Sequence, residues 1–386
     1  MLTGDPGIVS PRLWQESKVS IFRNTAAAFS VRGSDTLARD EDELELFRYE
    51  LPEDLIARRP VSSRSSARLM VLDRGAKSIE HASFESLSSY FDEGDCLVLN
   101  ETRVIPCRLD GTRTETGGKL ELLFVRKRER SLWEALVRPA RRLRDGTDVS
   151  VSGGATMKII ERVSGARFLV EVPENFESYL EQWGKMPIPP YLKRAPDSQD
   201  KKDYQTVYAR VLGSSAAPTA GLHFSRETMR KLEAKGVSVT KLVLHVGPGT
   251  FKPLVPGPLS SQKLDPEYYE ITSETCHVVN RTRGRGGRVF AVGTSTARAL
   301  ETVTALANNG RDSSLVPSHG WTEKFIYPPY EFRAIDALVT NFHLPASSVL
   351  LLVCAFAGTE FTLSAYEEAK ERQYRFYSYG DAMLII

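Results

Sequence analysis

The sequence predicts an α/β domain interrupted by a small antiparallel barrel or sandwich. Three observations carry that reading. Strand-like and helix-like segments alternate through the second half of the chain, short strand-like runs and turn residues crowd the stretch 101–188, and the composition is that of an ordinary globular protein. At 386 residues the chain has room for two or three domains, since domains run to roughly 100 to 200 residues. With 41% hydrophobic and 26% charged residues it is not disordered, collagen-like or fibrous. Lys plus Arg number 51 against 49 Asp plus Glu, a formal charge of +2. That excludes a histone-like polyelectrolyte and leaves room for a nucleic-acid enzyme with local basic patches. Cys96, Cys107, Cys276 and Cys354 form no C-x-x-C pair, and the start shows no n-region, h-region and cleavage-site pattern. A reduced, cytoplasmic setting is therefore expected.

Residues 1–45 mix Gly, Pro and Ser with isolated apolar residues and the acidic run Asp40-Glu41-Asp42-Glu43, without periodicity, and read as a mobile extension. The α/β domain is expected over 46–100 and 189–386, with the β insertion at 101–188. Residues 51–57 suggest a short helix, with Pro52 in its first turn and acids near its positive end. Strands are expected at 68–73 and 94–100. In the insertion, strand-like runs at 103–109, 119–126, 133–137, 148–151, 156–161 and 168–172 are separated by Gly117-Gly118, Asp145-Gly146, Gly153-Gly154 and Ser164-Gly165, with no convincing helix. Beyond it, Ser225 caps a helix to Lys235, Phe224 and Met229 form a hydrophobic staple, and Gly236 ends the helix. Strands follow at 237–246, 288–293 and 335–341, the second leading into a helix that reaches about Asn308. The apolar run 349–357 is nine residues long, short of the about 18 to 20 that a membrane span needs, and reads as a core helix. In such a domain the ligand crevice is expected at the carboxyl ends of the strands.

Several residues there suggest chemistry. Gly293-Thr294-Ser295-Thr296 joins a strand to a helix, where free N–H groups and the helix dipole favour an anion, and Arg298 one turn later adds a fork of donors. Neither G-x-G-x-x-G nor a P-loop occurs. His223, His245 and His343 each end an apolar segment beside small residues, Gly or Pro, as structural hydrogen-bonded histidines or as ligands and proton carriers. No pair has H-E-x-x-H spacing, so a zinc hydrolase is a poor reading. His81, His277 and His319 lie in polar stretches and read as surface residues. Two clusters, Arg138, Arg141, Arg142 and Arg144, and Arg281, Arg283, Arg285 and Arg288, suit either phosphates or a solvated face. Glycine at 284, 286 and 287 suggests that the second cluster lies on a flexible loop. Tyrosines at 204–208 and 374–379 suit base stacking or core packing.

Longer words connect these residues. Leu97-Val98-Leu99-Asn100-Glu101-Thr102-Arg103-Val104-Ile105-Pro106, Trp133-Glu134-Ala135-Leu136-Val137-Arg138-Pro139 and Tyr204-Gln205-Thr206-Val207-Tyr208-Ala209 are followed by Ala216-Ala217-Pro218-Thr219-Ala220-Gly221-Leu222-His223-Phe224. His245-Val246-Gly247 with Gly249-Thr250-Phe251, Thr340-Asn341-Phe342-His343-Leu344-Pro345 and Tyr379-Gly380-Asp381-Ala382-Met383-Leu384-Ile385 complete the series. In this order, from about Phe47 to the end, they resemble the S-adenosylmethionine:tRNA ribosyltransferase-isomerases of queuosine biosynthesis.

The resemblance implies an α/β domain with an inserted small antiparallel β-barrel, and a transferase-isomerase that modifies tRNA. S-adenosylmethionine would be a consumed ribosyl donor, and tRNA carrying 7-aminomethyl-7-deazaguanine the acceptor. Epoxyqueuosine, adenine and methionine would be the products, with no metal or other cofactor; no membrane is expected as a partner, and the sequence leaves the oligomeric state open, with a monomer favoured. That chemistry needs a base, a proton donor for departing adenine and donors for the methionine carboxylate. His223, His245 and His343 are the candidates for proton transfer. Thr294, Thr296 and Arg298 are candidates for the carboxylate or a ribose oxygen, and Asn100, Arg103, Thr219, Thr250 and Asn341 for orienting the substrate. Arg138, Arg141, Arg142, Arg283 and Arg285 are candidates for tRNA phosphates. Two segments depart from the family pattern. Gln262-Lys263-Leu264-Asp265-Pro266-Glu267 stands where His-x-Met-His-x-Glu is usual, and Arg64-Ser65-Ser66-Ala67-Arg68-Leu69 where Arg-Asp-x-Ser-Arg-Leu is. They motivate a second reading, the same donor with a small-molecule acceptor. A third, an inactive RNA-binding relative, is opposed by the retained His223, Thr250, Asn341 and His343.

Overall fold

Apolar runs with β-branched residues, bounded by turns, generate the strands of the computed structural model, which describes residues 43–251, 254–306 and 314–386, all within the unit Asp40–Ile386. In chain order come β1 (Arg68–Asp73), β2 (Ser78–Ser83), β3 (Cys96–Asn100) and β4 (Thr102–Val104), then β5 (Arg108–Arg113), β6 (Lys119–Lys127) and β7 (Leu132–Arg138). Next are β8 (Asp148–Val151), β9 (Thr156–Ser164), β10 (Arg167–Glu171), α1 (Phe176–Trp183), α2 (Asp200–Asp203), β11 (Val211–Ser214), α3 (Arg226–Ala234) and β12 (Ser238–Leu244). The remainder is β13 (Glu267–Ile271), α4 (Ser273–Gly284), β14 (Val289–Val292), α5 (Thr294–Leu306), β15 (Ser318–Thr322), β16 (Ala337–Asn341), α6 (Ser348–Ala357), α7 (Thr359–Glu371) and β17 (Ala382–Ile385).

Among the described residues, nine strands form one sheet in the order β15-β13-β12-β3-β14-β16-β17-β1-β2. β12, β3, β14 and β16 at its centre run parallel to one another. Their alternating side chains feed two cores. Cys96, Val98, Leu242, Ala291 and Leu338 face one side with Leu300, Leu350 and Tyr366 of α5, α6 and α7. Leu97, Leu99, Phe290, Val292 and Val339 face the other with Phe84, Phe91 and Leu232. Burial on both faces is what a parallel sheet requires, and it explains the unbroken apolar runs. The expected cap of α3 is present, with Ser225 accepting from the Thr228 N–H. The helix read from 349–357 is α6, which is buried in the core, and among the described residues no single helix is long and apolar enough to cross a membrane.

The insertion is a closed antiparallel barrel, β10-β7-β6-β5-β8-β9, around a separate core that includes Leu109, Leu122, Phe124, Val149, Ile159 and Phe168. Its strands occupy Arg108 to Glu171, because the single strand expected at 103–109 is interrupted at Pro106. Its first part, β4, instead pairs in parallel with β11. The insertion also contains a helix that the sequence did not suggest. α1 is only eight residues long, and it buries Phe176 and Leu180 in the barrel core, where the Phe176 ring meets Phe124 at 4.6 Å.

Other expectations are corrected. The helix expected at 51–57 is a single 3-10 turn, Glu53–Leu55. The extension of 1–45 lies outside the described residues up to residue 42. Leu44 and Phe47 are buried in the main core, so packing begins at Glu43. Arg281 and Arg283 are on the last turn of α4 rather than on a flexible loop. His81 is half-buried, with its ring nitrogens 2.8 Å from the Tyr374 hydroxyl and from a Glu368 carboxylate oxygen. The helix end expected at Asn308 lies outside the described residues.

Candidate active site

Parallel strands direct their carboxyl ends to one edge, and the loops leaving β12, β14 and β16 enclose a cavity there. Thr219, Thr250, Thr294, Arg298, Lys324, Asn341 and His343 are among its lining residues. Behind it runs a hydrogen-bonded series. Thr219 Oγ1 donates to Asn341 Oδ1 at 2.9 Å, and Asn341 Nδ2 lies 3.0 Å from His223 Nε2. His343 Nε2 lies 2.7 Å from Thr340 Oγ1.

A second cleft opens between the barrel and the sheet. Arg126, Trp133, Arg167, Gly213, His245, Asp265, Glu267, Tyr268 and Trp321 are among its lining residues. His245 Nδ1 lies 2.7 Å from Thr102 Oγ1, and its ring stacks on Tyr268 with centroids 5.7 Å apart. The other face of the ring lies against Gly213, whose φ is +148° and where an added Cβ would come within 2.5 Å of His245 Nε2. A third pocket, lined by Arg108, Arg138 and Pro189, shares Arg167, Pro248 and Asp265 with this cleft and continues it along the barrel.

The three histidines are all neutral at pH 7, for one main reason. Burial penalises the imidazolium, bringing His223 down to about 4, with Arg375 and Arg64 adding to the effect, His245 to about 4 and His343 to about 3. Their positions differ. His343 lines the cavity and His245 the cleft, whereas His223 is buried behind Asn341 and lines neither. His223 thus contacts Asn341 from behind, while His245 and His343 are the two of the three candidates that face open space.

Other candidates divide in the same way. Thr294, Thr219, Thr250 and Asn341 line the cavity. Thr296 is fully buried and spends its hydroxyl on the Val292 carbonyl at 2.6 Å, so its side chain is not available to a ligand. Asn100 is also buried. Its Nδ2 donates to the Leu244 carbonyl and its Oδ1 accepts from Leu244 N and Thr102 N, so it fixes the ends of β3 and β12 rather than touching substrate. Arg103 is exposed on β4 and lines neither space. Arg298 reaches the cavity but forms an ion pair with Glu267, so its charge is already matched. Burial lowers its guanidinium only to about 10, which keeps it cationic. Glu267 also accepts from Gly247 N at 2.7 Å and from Thr250 Oγ1 at 3.2 Å.

Two residues of the site were not among the sequence candidates. Glu267 had a signal, as the one residue retained in the altered 262–267 segment. Lys324 had none, since it lies on an irregular stretch after β15. In the same segment as Glu267, Asp265 meets Arg167 of β10 at 3.0 Å, and this ion pair joins the barrel to the sheet. Arg138, Arg141, Arg142 and Arg144 are exposed on the barrel. Arg283 donates to the Arg333 carbonyl, and Arg288 is paired with Asp92 and Asp95, both at the amino-terminal edge of β3 and β14. The second arginine cluster is thus at the end of the sheet opposite the cavity. Among the described residues no group of three or more His, Cys, Asp or Glu is arranged to hold a metal ion.

A family model described as "Queuosine biosynthesis protein" matches residues 44–385. Among solved structures, the chain is similar to a crystal structure of S-adenosylmethionine tRNA ribosyltransferase from Thermotoga maritima. The two share 36% sequence identity over 88% of this chain and 100% of that one, with a TM-score of 0.51.

Proposed function

The chain belongs to the queuosine biosynthesis protein family, and on that premise we propose that it transfers and isomerises the ribosyl moiety of S-adenosylmethionine onto the 7-aminomethyl-7-deazaguanine wobble base of tRNA. It is an enzyme of the ribosyltransferase-isomerase type; epoxyqueuosine, adenine and methionine are the proposed products. The observation that carries the reading is the 36% identity, over 88% of this chain and the whole of the other, to a solved S-adenosylmethionine tRNA ribosyltransferase.

The cavity suits the demands of this reaction. The sulfonium acidifies the hydrogens on the adjacent ribose carbon, and a neutral imidazole can accept one of them. His343 in the cavity and His245 in the cleft are the two imidazoles that reach ligand space. Adenine leaves with a proton, which the same groups can return, and methionine leaves as a neutral thioether. We propose that its carboxylate binds at the start of α5, where Gly293 and Thr294 line the cavity together with the half-buried Lys324. Glu267 matches the Arg298 charge, and Lys324, whose ammonium interacts with Glu301 and the Tyr330 ring, is the second cation that lines the cavity. Thr219 and Asn341, held by His223, provide fixed polar contacts for ribose oxygens. S-adenosylmethionine is a substrate in this scheme, and no step calls on a metal or cofactor.

The test is mass spectrometry of nucleosides and small products after incubation with S-adenosylmethionine and tRNA carrying the aminomethyl deazaguanine. Epoxyqueuosine together with free adenine and methionine is expected. Consumption of S-adenosylmethionine on a free deazapurine but not on tRNA would replace this reading with the small-molecule acceptor.

A further inference from the structure

We infer that the cleft between barrel and sheet is a stacking site for a flat, purine-like base, with the Trp321 indole as its platform. The inference deepens the proposed function and rests on it for the identity of the ligands. Trp321 lies on edge strand β15, opposite Tyr268 of β13, at the end of the sheet that faces the cavity. Its side chain is 47% exposed, although folding buries most large aromatic residues of this chain. The barrel strand β6 holds the Arg126 guanidinium 3.8 Å from its ring centroid, and Tyr268 meets it edge-on at 5.7 Å. His245 then stacks on Tyr268. Two domains thus supply one array of flat groups, Arg126, Trp321, Tyr268 and His245, beside open space.

Size and chemistry point to a base. The cleft volume is about 310 Å³ and that of the cavity about 80 Å³. Small-molecule sites start at about 300 Å³, so the cleft is large enough for a bicyclic base and the cavity is not. Aromatic and guanidinium faces bind bases through π-stacking without hydrogen-bond readout. Asp265 lines the same cleft and can accept from ring N–H and amino groups. The two spaces share a wall: Val246 lines both, while Glu267 lines the cleft and its partners Arg298 and Thr250 line the cavity. A base in the cleft would therefore present its substituent to groups held in the cavity. Such a ring has two sources in the proposed reaction, the adenine of S-adenosylmethionine and the acceptor base of tRNA.

The experiment uses the full chain and its Trp321→Ala and Trp321→Phe variants, checked by thermal melting. Affinity is measured for S-adenosylmethionine by calorimetry, and for an anticodon stem-loop RNA carrying 7-aminomethyl-7-deazaguanine by anisotropy. Trp321→Ala should weaken one of the two by roughly ten- to a hundredfold, the range for removing a base stack, with Trp321→Phe restoring most of it. Weakening of the stem-loop assigns the cleft to the acceptor base, and weakening of S-adenosylmethionine assigns it to adenine. Ligand should also quench wild-type indole emission, and the quenching should be smaller in Trp321→Phe, where Trp133 is the indole left in the cleft. Unchanged affinity for both ligands in Trp321→Ala would overturn the inference, as would equal weakening of both that Phe does not restore. If the wild type binds both ligands yet makes no epoxyqueuosine, the proposed function fails, while the stacking site is still judged by binding alone.

Discussion

His223 illustrates how one residue couples stability to pH without touching a ligand. It is 4% exposed, and burial lowers its imidazole from the ordinary 6.5 to about 4. The unfolded chain therefore binds a proton between these values that the folded chain does not, so stability falls as the pH drops through that window and is fully present above it. At about 1.4 kcal/mol per pH unit, this residue alone accounts for a loss of about 2 kcal/mol between pH 6.5 and 5. Urea unfolding at pH 7 and at pH 5 should show that loss added to similar ones from His245 and His343, and His223→Gln should remove about one third of the total; an equal pH dependence in the variant would remove His223 as a cause. The same variant should slow turnover by loosening Asn341, whereas in wild type neutral His343 and His245 should keep the acid limb of kcat/KM below about pH 5. All three histidines were legible in the sequence, because each ends an apolar run beside Gly, Pro or small residues. Their division into one positioning residue and two that reach ligand space was not, since it depends on which loop lies in front of each ring.

At the scale of elements, the Glu267–Arg298 pair ties the first residue of β13 to the first turns of α5, with Glu267 buried and the Arg298 side chain 12% exposed. Gly247 and Thr250 bring the loop after β12 to the same carboxylate, so one side chain joins three segments that line the cavity and the cleft. Glu267→Gln would leave a buried guanidinium without its counter-charge, at a cost of about 3 to 5 kcal/mol. A lowered denaturation midpoint is expected, together with partial recovery of stability, but not of turnover, in Glu267→Gln/Arg298→Met. If Glu267→Gln melts like wild type, the pair does not hold these elements together. Such ties between distant segments explain which elements could be read from sequence. β3, β14, β16 and α6 are central and apolar throughout, so composition alone revealed them. β13 and β15 alternate in burial but not in polarity near the edge of the sheet, with Trp321 and His319 facing outward, and in sequence they resemble loop. α4 is polar over most of its surface, and the glycines at its end obscured a helix that is capped by Thr272 and packs Cys276 and Val279 against the sheet.

Across the whole molecule, the direction of the central strands separates two arginine clusters that look equivalent in sequence. β14 runs from Arg288 toward Gly293, and at about 3.3 Å per residue its length alone places the Arg281 to Arg288 cluster roughly 15 Å from the carboxyl-terminal edge. Asp92 and Asp95 neutralise Arg288 there. The barrel cluster is placed differently. Arg138 lines the pocket that continues the cleft, and Arg141 and Arg142 are exposed on the turn that follows β7. An RNA whose base enters the cleft would run its backbone along the barrel and leave the far edge of the sheet untouched. Arg141→Glu/Arg142→Glu should therefore raise KM for tRNA with little change in kcat at saturation, and should reduce the salt dependence of binding by about one unit of slope for each phosphate no longer neutralised. Arg283→Glu/Arg285→Glu changes net charge by the same amount and should leave both quantities unchanged, which separates a local interaction from long-range attraction. Equal effects of the two pairs at physiological salt would mean that the molecule attracts RNA through its overall field, and that the barrel is not the docking face.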